Sequence, residues 1–125
     1  MPQHHFSPRL HQSTAPFSHF ARHGDIGYTA GIIGQRTDDG SLVSDDVAEQ
    51  CEAMMSNLKT LLADLKLDPS HILRTTIYLT DYADFETINA IYAEHLHQPY
   101  PVRTTVQVAG LPLGAKVQID TVLGL

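Results

Sequence analysis

The sequence predicts an α+β fold in which a mixed β-sheet carries two helices on one face. Three observations point there. Apolar and polar residues alternate through Val102–Ala109 and again through Lys116–Leu123, the period of a half-buried strand. Between Val47 and Leu65, and again between Phe85 and Leu96, apolar residues recur at steps of three and four, the period of an amphipathic helix. Short β-branched runs flank these helices, giving the order strand, strand, helix, strand, helix, strand, strand. Two helices can cover only one face of such a sheet, and its other face, with Val and Ile exposed, needs a partner.

With 125 residues and 42% hydrophobic content, the chain is sized for a single domain spanning 1–125, with residues 1–13 loosely ordered. Ser13–Phe17 leads into a short strand, Ser18–Arg22, reversed by His23-Gly24-Asp25. Ile26–Gly34 follows as a strand whose three glycines leave backbone uncovered, for bulging and tight packing or for the approach of a ligand. Arg36–Ser41 is a polar turn. Ser44, with Asp45 and Asp46 behind it, opens the long helix as a capping hydroxyl followed by acids at the positive end of the dipole. Val47, Cys51, Met54, Met55, Leu58, Leu61, Leu62 and Leu65 make its stripe. Leu67-Asp68-Pro69 stops it, and Leu73–Thr80 alternates as a strand. Asp81 to Asp84 cap the second helix, whose stripe is Phe85, Ile88, Ile91, Tyr92 and Leu96, with Asn89 between. Pro99 and Pro101 end it and feed the strand from Val102.

That strand places Arg103, Thr105, Gln107 and Ala109 on one face, and after Gly110, Pro112 and Gly114 the next strand places Gln118, Asp120 and Val122 on one face. A cation and a carboxylate are thereby expected on adjacent strands. Such a pair is either a solvent-facing ion pair or part of a site, since a guanidinium flanked by threonines can hold a small carboxylate with two prongs. Asp120 could equally turn to Lys116.

The bulk charge of −6 disfavours nucleic acid as a partner, and no apolar run reaches the length needed to cross a bilayer, so a cytoplasmic protein without a membrane partner is expected. Cys51, the single cysteine, falls at an apolar helix position and reads as core. Eight histidines crowd the chain without a ligand spacing such as HExxH, and no metal site is expected.

The block YPVRTTVQVAGLP followed by KVQIDTV resembles the end of the RidA (YjgF) family, which reads approximately (Y/F)PAR(S/T)xVxVxxLPxxxxVEIEAxA. Asn57 to Leu96 matches the family's middle section, and Tyr28-Thr29-Ala30-Gly31 matches its ITSG stretch. The resemblance implies a chorismate-mutase-like α+β fold assembled as a homotrimer, with a pocket in each cleft between subunits. It implies cofactor-independent hydrolysis of 2-enamine or 2-imine acids to 2-keto acids and ammonia. Arg103 corresponds to the family's carboxylate-binding arginine, and Asp120 to the acid that orients or activates water. Thr105, Phe17, Ala30, Gly31 and Asn89 complete the expected substrate site. Asp120 replaces a glutamate, Thr105 a cysteine, Phe17 a tyrosine and Ala30 a serine, which makes the pocket more apolar and points to a bulkier imino acid, such as an aromatic or ring-opened one. A trimeric 2-keto acid binder without turnover is the alternative, and the ribonuclease or translation-inhibitor activity attributed to some relatives is disfavoured by the acidic balance.

Overall fold

The helix stripes pack together against one face of the sheet. The computed structural model describes residues 1–125. Helix α1, Val47–Asp64, buries Cys51, Met54, Met55, Leu58, Leu61 and Leu62. Helix α2, Phe85–His95, buries Ile88, Ile91 and Tyr92, with Leu96 just beyond it. They form one core with Phe20, Ile72, Ile77, Leu79, Val117, Ile119 and Leu123 of the sheet. The cap of α1 is Asp46, not Ser44: its carboxylate accepts from Glu49 N at 2.9 Å. Ser44 Oγ instead accepts from Asp46 N and donates to Glu49, so hydroxyl and carboxylate cap in series. A left-handed Lys66 ends the helix, and Asp68 caps a 3-10 turn at Pro69.

The six strands are β1 Gln3–His5, β2 Phe20–His23, β3 Ile26–Thr29, β4 Ile72–Leu79, β5 Val102–Gln107 and β6 Val117–Gly124, in the spatial order β1-β2-β3-β6-β4-β5. All pairs are antiparallel except β4 with β5. β6 is therefore central, and β5 is an edge.

Here the expectation of adjacent strands fails. β5 follows α2 and lies parallel to β4 on its outer side, while β6 returns along β4's other side. The Gly110–Gly114 connection thus spans a strand and is not a hairpin. The register also separates the two charges by face. Arg103 pairs with Thr75, which is buried beneath the helices, whereas Asp120 pairs with Thr76 on the open face.

The strand expected over 26–34 is regular only to Thr29 and resumes as an isolated bridge of Ile32 with Ile119. Since Tyr28 pairs with Val122, the Ala30–Gly31 segment lies beside Asp120 as a local bulge. The first thirteen residues, expected to be loose, carry β1 along β2 and bury Ser7 and Leu10. They are held by His5 Nε2, 2.6 Å from Asp64 Oδ2 on α1, and by Ser7 N, which donates to His19 Nδ1 at 2.9 Å. The open face exposes Val102 (67%), Tyr28 (55%) and Leu73 (50%). No helix is long and apolar enough to cross a membrane.

Candidate active site

Alternation along β5 turns Arg103 and Thr105 toward α2, and the 3.6-residue period of α2 turns Asn89 and Tyr92 toward them. The resulting cleft, of about 520 Å³ including open solvent, is lined by Asn89, Tyr92, Ala93, Tyr100, Pro101 and Arg103. Arg103 Nε donates to Thr105 Oγ1 at 2.9 Å, and the guanidinium carbon lies 4.7 Å from the Tyr92 ring centroid and 5.6 Å from that of Phe85. Burial pulls the Arg103 pKa below its ordinary value. It remains a cation, because a guanidinium does not deprotonate in proteins. No carboxylate of the subunit answers it.

Two buried polar atoms in this cleft have no partner: Arg103 Nη2, a donor, and Asn89 Oδ1, an acceptor. Leaving such groups unpaired costs about 1–3 kcal/mol each. Such atoms, standing together, mark a place where a ligand, a water or a neighbouring chain can supply the missing bonds. An anion with a hydrogen-bond donor beside it fits both atoms. Thr105, expected to touch substrate, accepts from Arg103 Nε through its hydroxyl oxygen and keeps its own O–H to donate.

The other expected residues gather elsewhere. Phe17, Ala30 and Gly31 line a second cleft with Leu10, His19 and Leu61. Its floor is backbone: Ala30 N donates to His19 O, and Ile32 N to Ile119 O. Gly31 is covered by Gln118, for a Cβ there would lie 2.7 Å from Gln118 Nε2. Gln118 was not singled out in the sequence, although its alternation with Asp120 on one face was visible. Asp120, beside this cleft on the open face, accepts from Tyr78 Oη at 2.8 Å; Lys116 reaches the carbonyl of Asp45. That hydrogen bond to the carboxylate is the main reason that the Tyr78 phenol is raised above its ordinary pKa.

The expected site residues thus do not meet in one place: Asn89, Arg103 and Thr105 lie on the helix side at the β5 edge, Asp120 on the open face, and Phe17, Ala30 and Gly31 in the cleft that Leu10 and Leu61 also line. Cys51 lies in the core, where burial raises its thiol to about 12, so it is no nucleophile. No three histidine, cysteine or acidic residues are grouped to hold a metal.

Residues 8–123 match the profile of the family described as endoribonuclease L-PSP, the RidA/YjgF group. The chain belongs to this family. It is 37% identical over 110 residues to the chloroplastic reactive intermediate deaminase A of Arabidopsis thaliana, covering 88% of this chain but 59% of that protein. It is 36% identical over 95 residues to the human 2-iminobutanoate/2-iminopropanoate deaminase, covering 76% of this chain and 69% of the relative. The crystal structure of RidA from an Antarctic Psychrobacter superposes with a TM-score of 0.93 at 26% identity, over 98% of this chain and 99% of that one. The RidA-family fold therefore extends through the N-terminal strand as well as the helices and sheet.

Proposed function

We propose that this RidA-family chain hydrolyses 2-imino acids, and the 2-enamine acids that tautomerise to them, to 2-keto acids and ammonia, in a site shared between subunits of a homotrimer. One observation carries the reading: Arg103 Nη2 and Asn89 Oδ1 stand buried and unpartnered in one cleft. The guanidinium grips the substrate carboxylate, and the Asn89 carbonyl accepts from the iminium N–H. Water adds to the imine carbon, the carbinolamine collapses, and the nitrogen leaves as ammonia while the oxygen stays as the ketone. Arg103 also withdraws electrons through the carboxylate as the carbon is attacked. Asp120 orients the water from a neighbouring subunit, since its own subunit keeps it on the far face from Arg103. Phe17, Ala30 and Gly31 then enclose the substrate side chain. The exposed Val102, Tyr28 and Leu73 support assembly through the open face. A cytoplasmic setting, one domain over 1–125, and the absence of cofactor or nucleic-acid partner belong to the same proposal.

The test is ammonia and keto-acid release from 2-iminopropanoate and 2-iminobutanoate, generated in situ, by wild type beside Arg103→Ala. Acceleration by wild type and its loss in the variant is the expected result. Equal acceleration by both rejects the role of Arg103. A second reading has its own observation: the Phe17 and Ala30 wall is apolar, and one oxygen of Asp120 is already bound by Tyr78. A trimer binding 2-keto acids without turnover would bind them in calorimetry, lose them in Arg103→Ala, and release no ammonia from any imino acid, small or bulky.

A further inference from the structure

Arg103 is held from two directions. Thr105 Oγ1 occupies Nε, and with it one edge of the guanidinium fork, because a side-on grip of a carboxylate needs Nε–H together with one Nη–H. What remains is the end-on pair of Nη groups, of which Nη2 is buried without a partner. The second support is the face of Tyr92, whose ring centroid lies 4.7 Å from the guanidinium carbon. A cation over an aromatic face at this separation is attracted by the ring's quadrupole, more strongly as water is excluded. Tyr92 is itself locked, for its Oη lies 2.7 Å from Thr75 Oγ1, and both residues are buried. Thr75 is in turn the cross-strand partner of Arg103. The contacts close a ring: strand β4 fixes the Tyr92 hydroxyl, Tyr92 supports the guanidinium, and the guanidinium returns to the strand beside β4.

We infer that Tyr92, locked by Thr75, is a positioning residue for Arg103, keeping the long side chain aimed so that its two Nη groups meet the substrate carboxylate end-on. This rests on the reading of Arg103 as the carboxylate grip. Tyr92 also fills the α2 stripe as an ordinary core residue would. Core filling alone explains neither why its face is turned to the half-buried Arg103 guanidinium nor why it lines the same cleft as the unpaired Nη2 and Asn89 Oδ1. An arginine loses rotamer freedom when it grips an anion, and a site that has removed that freedom beforehand binds its anion correspondingly better.

The experiment is calorimetric affinity for 2-oxobutanoate and for its neutral amide, 2-oxobutanamide, with wild type, Tyr92→Leu, Tyr92→Phe, Thr75→Val, the Tyr92→Phe/Thr75→Val double variant and Arg103→Ala. Tyr92→Leu is expected to weaken the carboxylate ligand about tenfold while the amide changes little. Tyr92→Phe keeps the ring and recovers most of that loss; it and Thr75→Val each cost about threefold, and the double variant costs no more than either. In turnover the same variants raise KM more than they lower kcat. If Tyr92→Leu does not fold, the selective threefold loss in Tyr92→Phe decides, and its absence overturns the inference. Wild-type carboxylate binding in Tyr92→Leu, with binding lost in Arg103→Ala, overturns the role of Tyr92 alone. So does an equal loss of carboxylate and amide. Unaltered binding in Arg103→Ala overturns the reading of the cleft and this inference with it.

Discussion

Gly31 and Gly34 lie three residues apart in one irregular segment, and adding the same methyl group to each has very unequal consequences. At Gly34 a Cβ would sit 2.4 Å from the carbonyl oxygen of Gln50 and 2.8 Å from its Cα, both backbone atoms of α1. Ordinary contact begins near 3.4 Å, so the segment must retreat from the helix by about 1 Å. It is pinned by Asn57 Nδ2, which donates to Ile33 O at 3.2 Å and Gln35 O at 3.0 Å, and by the Ile32–Ile119 bridge. Overpacking of this kind costs about 1–3 kcal/mol, and stretching the Asn57 bonds adds about 1 kcal/mol, for a total of about 3 kcal/mol. For a domain of this length that lowers the melting temperature by about 10 °C. At Gly31 the clash is with the amide end of Gln118, a flexible side chain that can swing aside, and the substitution restricts the unfolded chain by about 0.4–1 kcal/mol. Gly31→Ala should therefore melt within about 3 °C of wild type. Circular dichroism melts at one fixed protein concentration make the comparison. A Gly34→Ala melt that coincides with wild type would refute the reasoning, because no side-chain rotation can relieve contact with a helix backbone.

Two further predictions follow. Burial, with lesser repulsion from His5 and His11, holds the His19 imidazole below its usual value of 6.5, and its neutral Nδ1 accepts from Ser7 N–H. A histidine depressed on folding contributes stability that is full above 6.5 and is lost as pH falls through the lower folded value; the His5–Asp64 pair persists there, since the hydrogen bond from His5 holds Asp64 below the ordinary carboxylate range. Once the intrinsic slowing of exchange at lower pH is divided out, the protection of the amides of residues 3–10 should fall between pH 7 and 5 in wild type and much less in His19→Gln; an equal fall in both would exclude His19 as the origin. If the site is divided between subunits as proposed, Arg103→Ala and Asp120→Asn subunits should each be inactive alone and regain activity when refolded together, because some interfaces then pair an intact Arg103 with an intact Asp120. Absence of recovery in proven mixed trimers would reject a site divided between subunits.

The helices were legible because their stripes repeat over enough turns to fix a face: of the residues its spacing marked, α1 buries Cys51, Met54, Met55, Leu58, Leu61 and Leu62, while Val47 and Leu65 at its ends are partly buried. Its cap was displaced by two residues because Ser44 and Asp46 are both good caps and only the folded chain shows which side-chain oxygen meets Glu49 N. Alternation in the two C-terminal strands gave the right parity: Arg103 shares a face with Thr105, and Asp120 shares one with Gln118. Parity does not name a strand's neighbour, so the placing of the predicted strand β4 between the two went unseen, and with it the separation of Arg103 from Asp120. Phe85 and Tyr92 were visible as a stripe, but their second use as walls against the guanidinium depends on the α2–β5 approach, which no local pattern encodes. β1 was missed because three residues, Gln3–His5, carry no period and are held by distant partners.

The central position of β6 governs when this sheet can form. β3 and β4 do not touch as neighbours; β6 joins them, and it follows every other strand in chain order. During synthesis the β2–β3 hairpin and the β4–α2–β5 unit can each take shape, but they remain separate until residues 117–124 are added. Closure then joins residues about a hundred positions apart, as in Ile26 with Gly124, which makes folding slow relative to helical domains of this size. Until then the apolar edges that β6 will occupy stand open to other chains, so a pause or break before Val117 would yield aggregate rather than a weakened protein.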